Sequence, residues 1–350
     1  MTKFALFTDI PFWYPALGQC VRIRELVFAL AKRTSLTVYY LGEQDASYEI
    51  ASKVKLPFEI VAFDGSNPLQ RLLLIKEIEL NPIDIALVEY LHLSWICDFL
   101  PKKTVKLLDC HDLASIRSDL HKKWGYALEI EWTKDQEIAA FNRFDKVIFI
   151  QEEEAKVAAS WIGAEKCLVC SHPAHIEAGY SPKKQATEIR FLASPSHANS
   201  HAAMWLHNEV LPHLPKERKI AIFGAICLKK ELKEKCPNLN FEGTVNNLKS
   251  FYHSTDVFIN PVLFGSGLKI KTVEALAHGV PLVSTSYGVQ GIKNEHDAFL
   301  VEDDPKAFAN AIESLVQSHE KRVALSINAY SLSNAKLNSI QCYSELFDLL

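Results

Sequence analysis

Short apolar runs alternate with amphipathic helical stretches along almost the whole chain, in two successive series. The first series of runs falls at 4–8, 36–41, 59–63, 85–90, 105–109 and 146–151, with helical stretches such as 21–32 and a long 122–143 between them. The second falls at 190–193, 219–224, 239–242, 257–260 and 282–285. Strands alternating with helices demand right-handed crossovers and a parallel sheet covered on both faces. Two such series predict an α/β protein of two doubly wound, Rossmann-like domains.

A chain of 350 residues, 48% hydrophobic, can supply two separate cores. The seam is expected at 173–188, a polar stretch with two prolines that breaks the periodicity. This divides the chain into an N-terminal domain (1–172), a linker (173–188) and a C-terminal domain (189–320). A helical tail at 321–350 lacks a following strand and should dock on a domain surface. The net charge of -4 argues against a nucleic-acid partner, which would require a basic surplus or stripe. The first residues show no signal-peptide layout, and the apolar stretch at 83–100 is interrupted by Asp84, Glu89, His92 and Asp98, so no membrane span is expected. Eight irregularly spaced cysteines suit reduced thiols and a cytoplasmic setting. Cys167, Cys170, His172 and His175 have spacings that suggest zinc. A strand at 166–170 would, however, turn the two thiols to opposite faces, so no metal is expected.

The chemistry concentrates in one segment, NPVLFGSGLKIKTVEALAHGVPLVSTSYGVQG at 260–291. Five of the thirteen glycines, Gly265, Gly267, Gly279, Gly288 and Gly291, lie within it. The order is strand, Gly-Ser-Gly loop, helix, strand. Such a loop feeding a helix N-terminus gathers unpaired amides and the positive end of the helix dipole, which suits phosphate. Bare backbone at Gly265 and Gly267 would let a bulky anion approach Ser266 and Leu268 closely. Lys269 and Lys271 add positive charge. Lys271, Glu274 and His278 recur at helical spacing on one polar face, while Ile270, Val273 and Ala277 face the core. A carboxylate one turn beyond the lysine suits sugar hydroxyls, such as those of a ribose.

The stretch GSGLKIKTVEALAHGVPLVSTSYGVQGI closely resembles the donor-binding segment of GT-B-fold retaining glycosyltransferases of family 4. GTVNNLKSFYHSTDVFINP, DCHDLASIR and RFDKVIFIQEEEA resemble other parts of the same family, so the resemblance spans nearly the whole chain. It implies a GT-B fold with an interdomain cleft, the donor on the C-terminal domain and the acceptor on the N-terminal one. The tail would cross back to the first domain. The donor site it implies comprises Gly265, Ser266, Gly267, Leu268, Lys269, Lys271 and Glu274. It adds Gly18, in PALGQCVRIREL, as a glycine near the phosphates, with Arg22 or Arg24 as the accompanying arginine. His111 would lie beside the donor sugar, making His111 and Lys271 the catalytic residues. Asp112 reads instead as a turn or cap residue. Acceptor contacts would come from N-terminal loops such as Phe12 to Tyr14 and Tyr90 to His92.

Two family features are missing. The position paired with Glu274 in the family's E-x7-E pattern holds Ser266, or Phe264 if the loop is longer, and neither is a carboxylate. After the first strand of the second domain the family arginine is replaced by a stretch offering Ser194, Ser196, His197 and Asn199. The implied activity is metal-independent transfer, with retention, from a nucleotide-diphosphate sugar to a hydroxyl of a glycan, lipid-linked, protein or small-molecule acceptor. No cofactor is expected beyond that co-substrate. A lipid-linked acceptor would bring the protein to the inner membrane surface. The alternatives are a sugar-nucleotide 2-epimerase and a non-catalytic GT-B subunit of a transferase complex. Nothing in the sequence sets the oligomeric state.

Overall fold

The computed structural model describes residues 1–14, 17–176, 179–295 and 297–350. The chain folds into two compact units. The first comprises Met1–Asp119, Leu128–Ser171 and Tyr343–Leu350; the second comprises Leu120–Ala127 and His172–Cys342.

The first unit is built on seven strands: β1 (Lys3–Thr8), β2 (Ser35–Tyr40), β3 (Glu59–Ala62), β4 (Ile85–Glu89), β5 (Val105–Asp109), β6 (Lys146–Phe149) and β7 (Cys167–Val169). All pair in parallel, in the order β3-β2-β1-β4-β5-β6-β7. Central strands covered by helices on both faces need apolar residues in succession, and every residue of β4 (IALVE) is buried. The edge strand β3 has no fully buried residue. The sequence order reverses between β1 and β4, so their carboxyl ends frame the crevice where open α/β sheets place their chemistry.

The second unit repeats the plan with six strands: β8 (Ile189–Leu192), β9 (Ile220–Phe223), β10 (Asn240–Gly243), β11 (Val257–Asn260), β12 (Leu282–Ser284) and β13 (Leu300–Val301). They pair in parallel in the order β10-β9-β8-β11-β12-β13, with the reversal between β8 and β11. The two-residue edge strand β13 is too short to register as a period in sequence. The segment expected as a linker packs on this unit where it is described. Ala186 is buried in its core, and the Tyr180 hydroxyl donates to the Thr255 carbonyl at 3.0 Å. Of the tail, the helix His319–Lys336 packs against the helix Ile270–Ala277, whereas Tyr343–Leu350 belongs to the first unit.

The long helix expected at 122–143 does not form. A helix Ala114–Lys123 stops, and a new one begins at Lys134–Phe141. Between them Gly125 takes a positive φ of 77°, which ends the helix, and Thr133 with Gln136 forms a capping box that starts the next. Trp124 and Tyr126, in the break, stack on Phe264 with centroids 5.2 and 5.6 Å away. Tertiary stacking of aromatic rings has overridden local helical periodicity. Asp112, expected as a turn or cap residue, lies in the bend before the first of these helices, where its amide donates to the Cys110 carbonyl at 2.7 Å. Its carboxylate takes both bonds from Arg117, while Glu137 accepts the backbone amides of Ala114 and Ser115.

Candidate active site

In the second unit β11 ends at Asn260, whose buried side-chain amide donates to Thr272 Oγ1 and to the Gly288 carbonyl, both at 2.9 Å. Thr272 Oγ1 donates to the same carbonyl at 2.7 Å. Three segments are thereby tied together: the strand end, the helix Ile270–Ala277, and the loop after β12. The glycines of this region do different work. A Cβ at Gly288 would lie 2.2 Å from Ser284 Oγ and 2.6 Å from the Asn260 carbonyl, and one at Gly279 would lie 2.4 Å from the Tyr330 ring. Those two permit close packing, and Gly279 also takes a left-handed φ of 68° where the helix ends. Gly265 and Gly267 have φ of 129° and 69°, and the nearest atoms to a Cβ on Gly265 are those of the Lys269 side chain, 3.7 Å off. The loop at 265–267 is therefore the glycine-dependent turn that leaves backbone accessible.

Lys269 occupies the N-cap position of the helix without a side-chain cap. Its ammonium folds back onto the carbonyls of Ser266 and Gly267 at 3.0 and 2.9 Å. Lys271 is half-buried. Its Nζ donates to Asn199 Oδ1 at 2.7 Å and lies 4.5 Å from the centroid of the Phe191 ring. Burial, then the neighbouring Lys269, depress its pKa to about 7. Glu274, one turn on, is pushed up to about 7 by burial, against the opposing effects of the Tyr252 hydroxyl and Lys271. Tyr252 donates to Glu274 Oε2 at 3.0 Å and is fixed by stacking on His278 at 4.7 Å. His278, expected on the polar face with Lys271 and Glu274, is the helix C-cap and is buried.

The positions that depart from the family pattern are filled in a consistent way. Asn199, on the helix His197–Trp205 after β8, stands where an arginine was lacking and holds Lys271 instead. Its own Nδ2 is fixed by the Ser194 carbonyl and hydroxyl, both at 3.0 Å. Phe264 is fully buried among Trp124, Tyr126, His121 and His201, an aromatic cluster and not a polar contact. Asn199, Tyr252 and Phe191 were not singled out as partners of the lysine and glutamate. Asn199 was visible only as a polar residue after a strand, and Tyr252 lies within a segment already noted for its resemblance.

The first unit carries a second constellation, also at strand ends. Glu89 closes β4, Asp109 closes β5, and His111 follows with a φ of 58°. His111 Nε2 is 2.6 Å from Glu89 Oε2, and its ring stacks on Tyr90 at 4.1 Å. Burial first, then the neighbouring Asp109, raise Glu89 to about 7 in spite of His111. Glu89, Asp109 and His111 form the single histidine-carboxylate group close enough to suggest a metal among the described residues. Both oxygens of Asp109 are already taken, however, by the Nε and Nη2 of Arg22 at 2.9 Å. Arg22 is completely buried and also donates to the Cys170 carbonyl at 3.0 Å.

This corrects one expectation: Arg22 is a structural ion pair and not a phosphate ligand. It faces the core because Asp109, 87 positions away, needs a charge partner there. Arg24 is exposed on the same helix, which Gly18 begins. Residues 15 and 16 of the PALG segment lie outside the described residues. Of the acceptor candidates, Phe12 packs on Phe58, and Trp13 on Tyr40 and Tyr48; His92 contacts Asp9. All eight cysteines are free, and Cys167 and Cys170 gather no metal set among the described residues. No described helix is long and apolar enough to cross a membrane.

Comparison with known proteins places this geometry. Residues 186–318 match the family model described as "Glycosyl transferases group 1". An uncharacterised 44.6 kDa protein in the cps region of Klebsiella pneumoniae is 25% identical over 299 residues, covering 78% of this chain and 76% of the relative. Among solved structures, Anabaena HepE in complex with UDP and glucose superposes with a TM-score of 0.76 at 13% identity, covering 100% of this chain and 99% of that one. WaaG, described as a glycosyltransferase involved in lipopolysaccharide biosynthesis, gives 0.66 at 13% identity over 100% and 99%. The fold is the two-domain GT-B arrangement of Rossmann-like domains, as the alternating pattern and the resemblance anticipated.

Proposed function

We propose that this chain is a glycosyltransferase that moves a sugar from a nucleotide-diphosphate donor to an acceptor hydroxyl, with retention and without a metal. The observation that carries the reading is the loop at 265–267 with Lys271 and Glu274 behind it, inside the segment that matches the group 1 model. UDP and glucose bound to Anabaena HepE make a uridine-diphosphate sugar the first donor to test.

In this reading the amides from Gly265 to Leu268 and the start of the helix receive the diphosphate. Lys271 leaves Asn199 and binds it as a cation, and Lys269 adds a second charge. Each such charge-assisted bond contributes about 1.5–3 kcal/mol. The ribose hydroxyls donate to Glu274, whose second oxygen is already oriented by Tyr252. During transfer the bond between the anomeric carbon and the diphosphate breaks, and negative charge grows on the leaving phosphate. Fixed cations and dipoles aimed at that charge lower the barrier. The leaving phosphate takes the proton of the acceptor hydroxyl as the new glycosidic bond forms on the same face.

The test is to incubate the protein with UDP-glucose and other nucleotide sugars, with and without EDTA, and to follow released nucleotide and the anomeric product by NMR. The expected result is slow hydrolysis or transfer with the donor's anomeric configuration kept and no EDTA effect. An inverted product would overturn retention. Abolition by EDTA would overturn the metal-free mechanism, and complete inertness toward every donor would favour a non-catalytic subunit.

A further inference from the structure

The first unit holds a cavity of about 770 Å³ at the carboxyl ends of its strands, separate from the Glu89–His111 group. Its size is that of a site for a small molecule rather than a single ion. Asp9 enters it from the end of β1, Glu43 from the loop after β2, Asp64 from the loop after β3, and His92 and Trp95 from the turn after β4. The walls meet because two glycines let backbones touch. A Cβ at Gly42 would lie 2.5 Å from the Asp9 carbonyl, and one at Gly65 would lie 2.9 Å from the Leu41 carbonyl. The cavity is thus built into the strand ends.

Its chemistry is that of hydrogen-bond acceptance. Three carboxylates line it against one guanidinium, that of Arg71. Arg71 is itself engaged: its Nε donates to the Gly65 carbonyl, and its charge lies 4.5 Å from the centroid of the Trp95 ring. Asp9 Oδ2 is 2.7 Å from His92 Nε2, while Asp9 Oδ1 is buried without a hydrogen-bond partner. A buried carboxylate oxygen left unmatched is costly, and a donor supplied by a ligand would remove that cost. The Ser66 hydroxyl and amide hold Asp64 below its usual range, so it is ionised at neutral pH. Such a lining repels phosphates and carboxylates and attracts hydroxyl or ammonium donors.

Resting on the transferase reading, we infer that this cavity binds the acceptor, and that the acceptor is a hydroxyl-rich glycan, neutral or amino-substituted, with no anionic group on the sugar seated there. Asp9 and Asp64 accept bonds from its hydroxyls, and Glu43, at the rim, selects against negative charge. The sugar that enters is therefore the product of a reaction that leaves its hydroxyls unphosphorylated and unoxidised.

Saturation-transfer NMR on the full chain, with methyl glycosides of four disaccharides, tests this: neutral hexosyl, 2-amino, uronate and 6-phosphate. The first two should bind. Asp64→Asn should weaken them by about tenfold, as expected for loss of a hydrogen bond to a charged group, whereas the exposed, isosteric Glu43→Gln should leave binding of the neutral glycoside unchanged and raise that of the uronate and 6-phosphate. Equal or tighter binding of the uronate or phosphate to the wild type would overturn the inference, as would neutral binding indifferent to Asp64→Asn or no glycoside binding at all. Binding of UDP, GDP, ADP and TDP measured on the same samples separates the two claims. Nucleotide diphosphate binding without glycosides removes the cavity assignment alone, whereas glycosides with none of UDP, GDP, ADP or TDP bound keep the glycan site and remove the transferase reading and with it the role as acceptor.

Discussion

Two cations, fully buried Arg22 in the first unit and half-buried Lys271 in the second, belong to equivalent Rossmann-like frameworks but have opposite environments. Arg22 is matched by both oxygens of Asp109 and by a carbonyl, so burial, which alone would lower its pKa, is outweighed and the pKa is raised. Lys271 faces a neutral amide and an aromatic ring, and its pKa falls to about 7. A cation whose charge is matched inside the protein stabilises the fold. One whose charge is poorly matched is held ready for an anion that comes from outside. The lesson is that burial alone does not mark a ligand-binding group; the chemistry of its partners does.

The sharpest way to break this contrast is to remove each cation. Arg22→Ala should destabilise the first unit by about 3–5 kcal/mol, because Asp109 is left charged and buried, and Asp109→Asn should do nearly the same. Denaturant unfolding measures this, and a loss below about 1 kcal/mol would show that the pair is not structural. Lys271→Met should behave in reverse. Turnover should fall by roughly 10²–10³-fold, as when a fixed group facing developing charge is removed, with the melting temperature unchanged or higher. Concurrent unfolding would place Lys271 with Arg22.

A smaller effect sharpens the account of Glu274. Tyr252→Phe removes the hydroxyl 3.0 Å from Glu274 Oε2, which helps hold the ionised form. The expected result is about a tenfold rise in the donor KM, with kcat much less changed, since a single hydrogen bond to a charged group is lost. An equal loss in kcat would mean that Tyr252 acts on the reacting centre.

The smallest effect is the pH dependence. Lys271 has a depressed pKa of about 7 in the free protein, and a bound diphosphate favours its charged form. UDP affinity should therefore be greatest below about 7 and should fall as pH rises above it. Glu274, ionised above its own raised pKa of about 7, opposes this through the ribose. The clean comparison is a Glu274→Gln variant, titrated calorimetrically from pH 6 to 9. There the decline should be several-fold and should vanish when Lys271→Met is added; a flat profile would rule out a titrating lysine.

Sequence was most informative where structure is local. The continuous apolar runs of β4 and β11 announce buried parallel strands, and the Gly-Ser-Gly turn before a lysine-bearing helix announces an anion site. It was least informative where partners are distant. Nothing near Arg22 reveals that its carboxylate lies at 109, and nothing near Lys271 reveals Asn199, 72 positions earlier. The roles of the clustered glycines were also hidden. Gly279 and Gly288 resemble Gly265 in sequence, yet they make room for Tyr330 and Asn260. The break at Gly125 was readable in part from the Thr133–Gln136 capping pair, but the stacking of Trp124 on Phe264 was not.

The central claim is that Lys271 awaits a nucleotide diphosphate. Calorimetric titration of UDP into the wild type and Lys271→Met tests it most directly. The account predicts saturable binding that weakens at least about tenfold in the variant, while the variant's unfolding curve stays that of the wild type. Equal UDP affinity in both proteins would contradict it.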